Sequence, residues 1–263
     1  MSQPSSLRSI LWIPTIVVLI LILLPVAVVV AISLGTSSTY TFPPLGLSLR
    51  WFDAFLRNQG FTDALFRVSL PLALAASVAA TVLGTLAATG IARSQFRGKR
   101  YLEVLFVTPV VFPQILLGVG LFLLYARLGL SPSVATLCLG HILIGTPYVV
   151  RTVGAALSGI DGRLEEAARN LGAPPALAFI MVTLPLLRSS IVSGAVFAFI
   201  ISFSDINLAL FLATADTATL PVQILAQMQY QSDPTIAAAS TLQVLLVGLL
   251  VLLAQSLTRR GRG

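Results

Sequence analysis

The amino-acid sequence predicts an all-α membrane protein with six transmembrane helices and both termini in the cytoplasm. Three observations carry that expectation. Apolar residues make up 57% of the 263-residue chain and charged residues 10%, where a soluble domain carries roughly a quarter charged. Six apolar segments recur, each near the ~20 residues a helix needs to cross hydrocarbon. Lys and Arg fall in clusters that all land on one side if the chain crosses six times. Period-2 alternation is absent, so backbone groups in lipid are satisfied within helices rather than in a closed barrel.

The segments are read in order. The first runs Ile10–Ser33 and is broken by Pro14 and Pro25; its apolar run is longer than the core of a cleaved signal peptide, which makes it a retained span. The second covers Ala64–Ala92, the third Leu102–Tyr125 and the fourth Val134–Val153. The fifth is Ile191–Ala213 and the sixth Ile236–Leu257. Pro109, Pro113 and Pro147 are candidate kink positions. No stretch between spans is long enough for a separate soluble domain, and no internal repeat is evident. The chain therefore reads as a single membrane domain over 1–263.

Charge sets the orientation. Arg93, Arg97, Lys99 and Arg100 lie between the second and third spans, and Arg151, Arg163, Arg169 and Arg188 between the fourth and fifth. Arg8 precedes the first span, and Arg259, Arg260 and Arg262 follow the last. These clusters mark the cytoplasmic side. Residues 214–235 hold no Lys or Arg but carry Asp216 and Asp233. The net charge of +7 is thus a topology signal, and no nucleic-acid partner is expected. The single cysteine, Cys138, has no internal disulfide partner.

One cytoplasmic stretch departs from this apolar pattern. Asp161, Arg163, Glu165, Glu166, Arg169 and Asn170 fall within ten residues. A helix is expected from Asp161-Gly162, with Asp161 capping free N–H groups and Glu165 and Glu166 near the positive end of its dipole. Gly172 suits a left-handed position after that helix. Pro174-Pro175 then opens a second helix leading to the fifth span. From physics alone this is equally a capped amphipathic connector resting on the membrane surface.

The segment Glu166-Ala167-Ala168, three residues, Gly172, nine residues, Val182-Thr183-Leu184-Pro185 resembles the E-A-A loop of ABC-importer permeases. That loop reads E-A-A, G and I-x-L-P at the same spacing, with Val182 here in place of isoleucine. The resemblance implies a type I ABC-importer permease fold in which residues 155–190 form a cytoplasmic coupling loop. Glu165, Glu166, Ala167, Ala168, Gly172, Leu184 and Pro185 are the coupling candidates. The helix Leu164–Leu171 would lie in a cleft of an ATPase subunit, Glu166 would anchor it there, and Gly172 would allow the bend.

Other segments resemble the spermidine/putrescine branch of these permeases: Phe42-Pro-Pro-Leu-Gly-Leu-Ser-Leu-Arg-Trp-Phe52, Phe96-Arg-Gly-Lys99, Ser202-Phe-Ser-Asp-Ile-Asn207, Leu220-Pro221 and Asp233-Pro-Thr-Ile236. Membership implies a multi-pass subunit of the bacterial inner membrane. Its partners would be a related second permease, two ATPase subunits and an external solute-binding protein. The solute would be a polyamine or related amino compound. The chain holds no phosphate-binding G-x-x-x-x-G-K-[ST] loop of its own, so ATP and Mg would be bound by the partner ATPases and this chain would need no cofactor.

Asp205 and Asn207, with Ser202 and Ser204, fall within the fifth apolar segment. A carboxylate there is costly unless it faces a polar interior. It suits a solute pathway or a gate, and equally a hydrogen bond between packed helices. His141 is expected to make an interhelical hydrogen bond rather than bind metal. Two other functions compete. An intramembrane enzyme lacks its motifs, since H-E-x-x-H and G-x-S-x-G are absent. A channel or ion-coupled carrier would work without an ATPase partner.

Overall fold

A computed structural model describes residues 5–94, 96–230 and 233–260. The described residues are mostly helical, with a single isolated bridge pair, Gly35 with Leu47, and no strand among them. The helices are α1 (Ser5–Ser33), α2 (Arg50–Arg57), α3 (Gln59–Arg93), α4 (Lys99–Val111), α5 (Gln114–Arg127) and α6 (Val134–Leu157). They continue with α7 (Arg163–Asn170), α8 (Pro175–Phe203), α9 (Ala209–Leu212), α10 (Leu220–Tyr230) and α11 (Thr235–Arg260). Helix α3 contains a π-helical turn at Asp63–Ser69 and α8 another at Phe179–Thr183.

Among the described residues, five stretches are long and apolar enough to cross a membrane: Trp12–Ser33, α3, α6, α8 and Thr235–Ser256. A sixth exists only if α4 and α5 count as one span, because they meet at a 105° bend. The segment expected as the third span, Leu102–Tyr125, is therefore not one continuous helix but two helices with a break between them. Pro113 is the cause. It holds Phe112 extended, at φ −76° and ψ 138°, and has no N–H to carry the helix onward. The prolines of the first span behave differently, since α1 runs unbroken through both Pro14 and Pro25, as lipid-embedded helices tolerate.

The chain groups into two compact units, residues 1–62 with 224–246 and residues 63–223 with 247–263. In the first, the loop after α1 is tied back on itself. Ser48 donates its backbone N–H to the Leu34 carbonyl at 2.8 Å, and Trp51 Nε1 donates to the Gly35 carbonyl at 3.0 Å. Tyr40 Oη donates to the Asp233 carbonyl at 2.9 Å. Phe55 and Phe61 stack with centroids 5.6 Å apart. Arg57 pairs with Asp53 one turn away, a contact suggested by their spacing in sequence.

In the second unit α3, α6 and α8 pack around small residues. Ala80, Ala88, Val149, Val153, Leu187 and Ala198 form one buried cluster. Gly84 on α3 and Gly194 on α8 both face Val149 on α6. Lipid supplies no hydrophobic drive between helices, so close backbone approach through small residues does this work. Ser133 caps α6 by accepting the Thr136 N–H at 3.3 Å, which is why that span begins where its apolar run does.

Candidate functional site

The polar loop between α6 and α8 takes the form its sequence implied. Asp161 Oδ1 accepts the Arg163 N–H at 3.0 Å and opens α7. Gly172 has φ +95° and nothing within 4 Å of a Cβ built on it. Its role is conformational, because a left-handed backbone suits glycine where side chains are strained. Pro175 begins α8 at its first turn. Leu184 and Pro185 follow directly on the π-turn of α8.

The two adjacent acids of α7 face different surroundings. Glu166 is exposed, as is Ala167, while Ala168 is half-buried. Glu165 turns inward: its side chain is 18% exposed and forms an ion pair with Arg93 at the end of α3. The same Glu165 Oε2 accepts the Thr183 hydroxyl at 2.6 Å, and Arg93 Nη2 donates to Thr183 Oγ1 at 3.1 Å. The Arg93 guanidinium also lies 4.7 Å from the centre of the Phe179 ring. Three elements meet in this triangle: α3, α7 and the π-turn of α8. Nearby, Lys99 and Arg151 line a common cleft, so residues from the basic clusters gather at this end of the unit.

The four pathway candidates separate at the other end of α8. That helix stops at Phe203, so Asp205 and Asn207 are not in mid-span as the apolar run suggested. Ser204 lies roughly 30 Å beyond Thr183 at 1.5 Å per helical residue, about the hydrocarbon thickness. Asp205 is 5% exposed, and its Oδ2 accepts the Leu208 and Ala209 N–H groups at 3.1 and 2.9 Å. The carboxylate caps α9. Ser202 is buried and its hydroxyl lies 2.8 Å from His141 Nδ1, the interhelical hydrogen bond expected of that histidine. Ser204 and Asn207 are exposed, and Asn207 Nδ2 donates to Gln114 Oε1 at 3.3 Å. Gln114 opens α5 immediately after the Pro113 break, so two helix interruptions meet there.

Residues 80–262 match the family of inner membrane components of binding-protein-dependent transport systems. The chain belongs to this family. The permease is 32% identical over 222 residues to the putrescine transport system permease PotI of Escherichia coli K12, covering 82% of this chain and 79% of PotI. It is 31% identical over 215 residues to the spermidine/putrescine transport system permease PotC of Haemophilus influenzae, covering 82% and 83%. Its fold matches a chain of a bacterial ABC transporter involved in alginate import, with TM-score 0.73 at 14% identity over 97% of this chain and 99% of that one. It is thus an ABC-importer permease subunit of the inner membrane and resembles the spermidine/putrescine branch.

Within this permease, sequence reasoning missed Arg93, Thr183, Phe179 and Gln114. Each is joined to its partner across many residues of chain, and no local spacing announces it. The Asp205 cap leads to a prediction. Asp205→Ala strands two buried N–H groups, each worth about 1–3 kcal/mol when left unpaired, and lowers the melting temperature of the purified subunit. Asp205→Asn keeps an accepting oxygen and melts near wild type. If Asp205→Ala instead leaves the melting temperature unchanged and weakens solute affinity in transport, the carboxylate belongs to the pathway and not to the cap.

Proposed function

We propose that the chain is one transmembrane subunit of an ATP-driven importer that carries a polyamine or related amino compound into the cytoplasm by alternating access. The observation that carries this is the family match over residues 80–262, joined to an exposed acidic helix followed by a left-handed glycine and a proline-started span. Residues 1–263 act as one permease domain in the bacterial inner membrane, with both termini cytoplasmic and residues 155–190 as its coupling loop. Glu166, Ala167 and Ala168 dock on an ATPase subunit, Gly172 sets the bend, and Leu184 and Pro185 pass the motion into α8.

ATP and Mg bind to two separate ATPase subunits, an external binding protein delivers the solute, and a related second permease completes the pore. The polyamine assignment rests on the names of PotI and PotC. Ser204 and Asn207, the exposed members of the candidate set, face the solute pathway together with Gln114.

The test is ATP hydrolysis by the co-expressed complex in liposomes, with its binding protein, against spermidine, putrescine, 4-aminobutyrate and 2-aminoethylphosphonate. Spermidine or putrescine is expected to stimulate hydrolysis and to accumulate inside. Stimulation by another member of the panel alone replaces the polyamine assignment. A chain that recruits no ATPase, yet still moves solute, is a channel or ion-coupled carrier.

A further inference from the structure

Helix α7 has no buried residue, so apolar packing does not hold it to the spans. Its Leu164 is 51% exposed, and Leu171, which follows its last residue, is 90% exposed. Among the described residues, the polar contacts that tie it to α3 and α8 are those of the triangle of Glu165, Arg93 and Thr183. Arg93 is the last residue of α3, and Thr183 and Phe179 are the two ends of the π-turn in α8. Such turns add a residue to the helix and are frequent at functional positions. Phe179 and Thr183 lie four residues apart, and both meet the Arg93 guanidinium. Neither Glu165 nor Thr183 occupies a position that the E-A-A/G/L-P pattern specifies.

We propose that Arg93, Glu165 and Thr183 form the joint through which displacement of α7 reaches α3 and α8, while docking on the ATPase is left to Glu166. These are positioning residues, and the inference rests on the importer reading above. A half-buried, charge-assisted contact suits the task. It is directional and stronger than a solvated pair, and it links three elements at one point. Motion of α7 therefore moves the end of α3 together with the start of α8, and does not simply slacken the loop. The small cleft beside the triangle, about 140 Å³ and lined by Leu157, Ile160 and Val182 among others, gives the helix room to shift without breaking core packing.

The experiment compares wild type, Arg93→Ala, Glu165→Gln, Thr183→Val and the charge-swapped pair Arg93→Glu with Glu165→Arg in the reconstituted complex. Two readouts are taken: the ATPase that co-purifies, and solute moved per ATP hydrolysed. The ratio is unaffected by a subunit that is merely less abundant. Co-purification is expected to survive each substitution, while transport per ATP falls by roughly tenfold in Arg93→Ala and Glu165→Gln, within the 5–150-fold range of allosteric coupling, and the swapped pair regains most of it. Thr183→Val, which keeps the side-chain shape, is expected to lower the ratio less and serves if the arginine variant does not fold. An unchanged ratio in every variant overturns the joint. So does loss of the ATPase from Glu165→Gln, which would make Glu165 a docking residue, and so does a swapped pair no better than the worse single variant. If the wild-type chain captures no ATPase, the importer reading itself fails and takes the joint with it.

Discussion

Glu166→Lys is expected to leave the permease folded and inserted but unable to retain its ATPase, with transport lost by two orders of magnitude or more. Glu166 is exposed, and no hydrogen bond or ion pair of its side chain is found among the described residues, so its replacement removes no internal contact. A surface substitution of that kind shifts stability by roughly half a kcal/mol or less. At an interface the same change acts differently. The acid lies in the first turn of α7, where the helix dipole favours negative charge, and the E-A-A resemblance places it in a partner's cleft. Lysine reverses the sign at that contact. Losing one member of a desolvated charge pair costs about 2–5 kcal/mol, and each 1.4 kcal/mol is a factor of ten in affinity. The measurement is co-purification of the ATPase alongside a melting curve of the permease alone. A Glu166→Lys subunit that still brings down its ATPase would remove Glu166 from the docking surface. The neighbouring Glu165→Gln separates the roles, since it keeps docking and loses transport efficiency.

How much of this was legible in the sequence depends on how local each determinant is. The αL turn at Gly172, the cap at Asp161 and the helix restart at Pro175 follow from backbone rules that act over a few residues, and the structure has all three. The apolar runs located most spans for the same reason. Proline was visible everywhere but not its effect: Pro14 and Pro25 leave α1 continuous, whereas α4 and α5 meet at a 105° bend at Pro113. Hydropathy does not separate these cases, because the outcome depends on whether neighbouring elements hold the bent form. The fifth apolar run hid the end of α8 at Phe203, since α9 is apolar too and only the short polar interval from Ser204 to Asn207 separates them. The partnership of Glu165 with Arg93 spans 72 residues. Sequence placed both at the cytoplasmic face but did not say which of two adjacent acids turns inward. That choice is made by the rotation of α7, which the Asp161 cap and Gly172 set together.

The largest effect on folding is expected at Gly84. A Cβ there would lie 2.6 Å from Val149 Cβ, 2.8 Å from Val149 Cγ1 and 3.2 Å from the Thr146 carbonyl oxygen. These are distances at which α3 and α6 must move apart, and Val149 has no slack toward α8, where even a Cβ built on Gly194 would lie 3.2 Å from the Val149 Cα. Gly84→Ala therefore costs about 1–3 kcal/mol, the usual range for an overfilled core, and Gly84→Val is expected to abolish a stable subunit. Gly90, two turns along the same helix, has nothing within 4 Å of its built Cβ. Gly90→Ala should raise stability by roughly 0.5–1 kcal/mol, because alanine is the better helix former. The opposite signs at two glycines of one helix, read by thermal melting in detergent, separate close packing from helix propensity. The compensating change is specific. Val149→Ala removes the Cγ1 contact but keeps the Cβ at 2.6 Å, so it does not rescue Gly84→Ala. Val149→Gly does, by moving the glycine to the opposite side of the interface. Rescue by Val149→Ala, or none by Val149→Gly, would mean that the spacing of α3 and α6 is set elsewhere along their length.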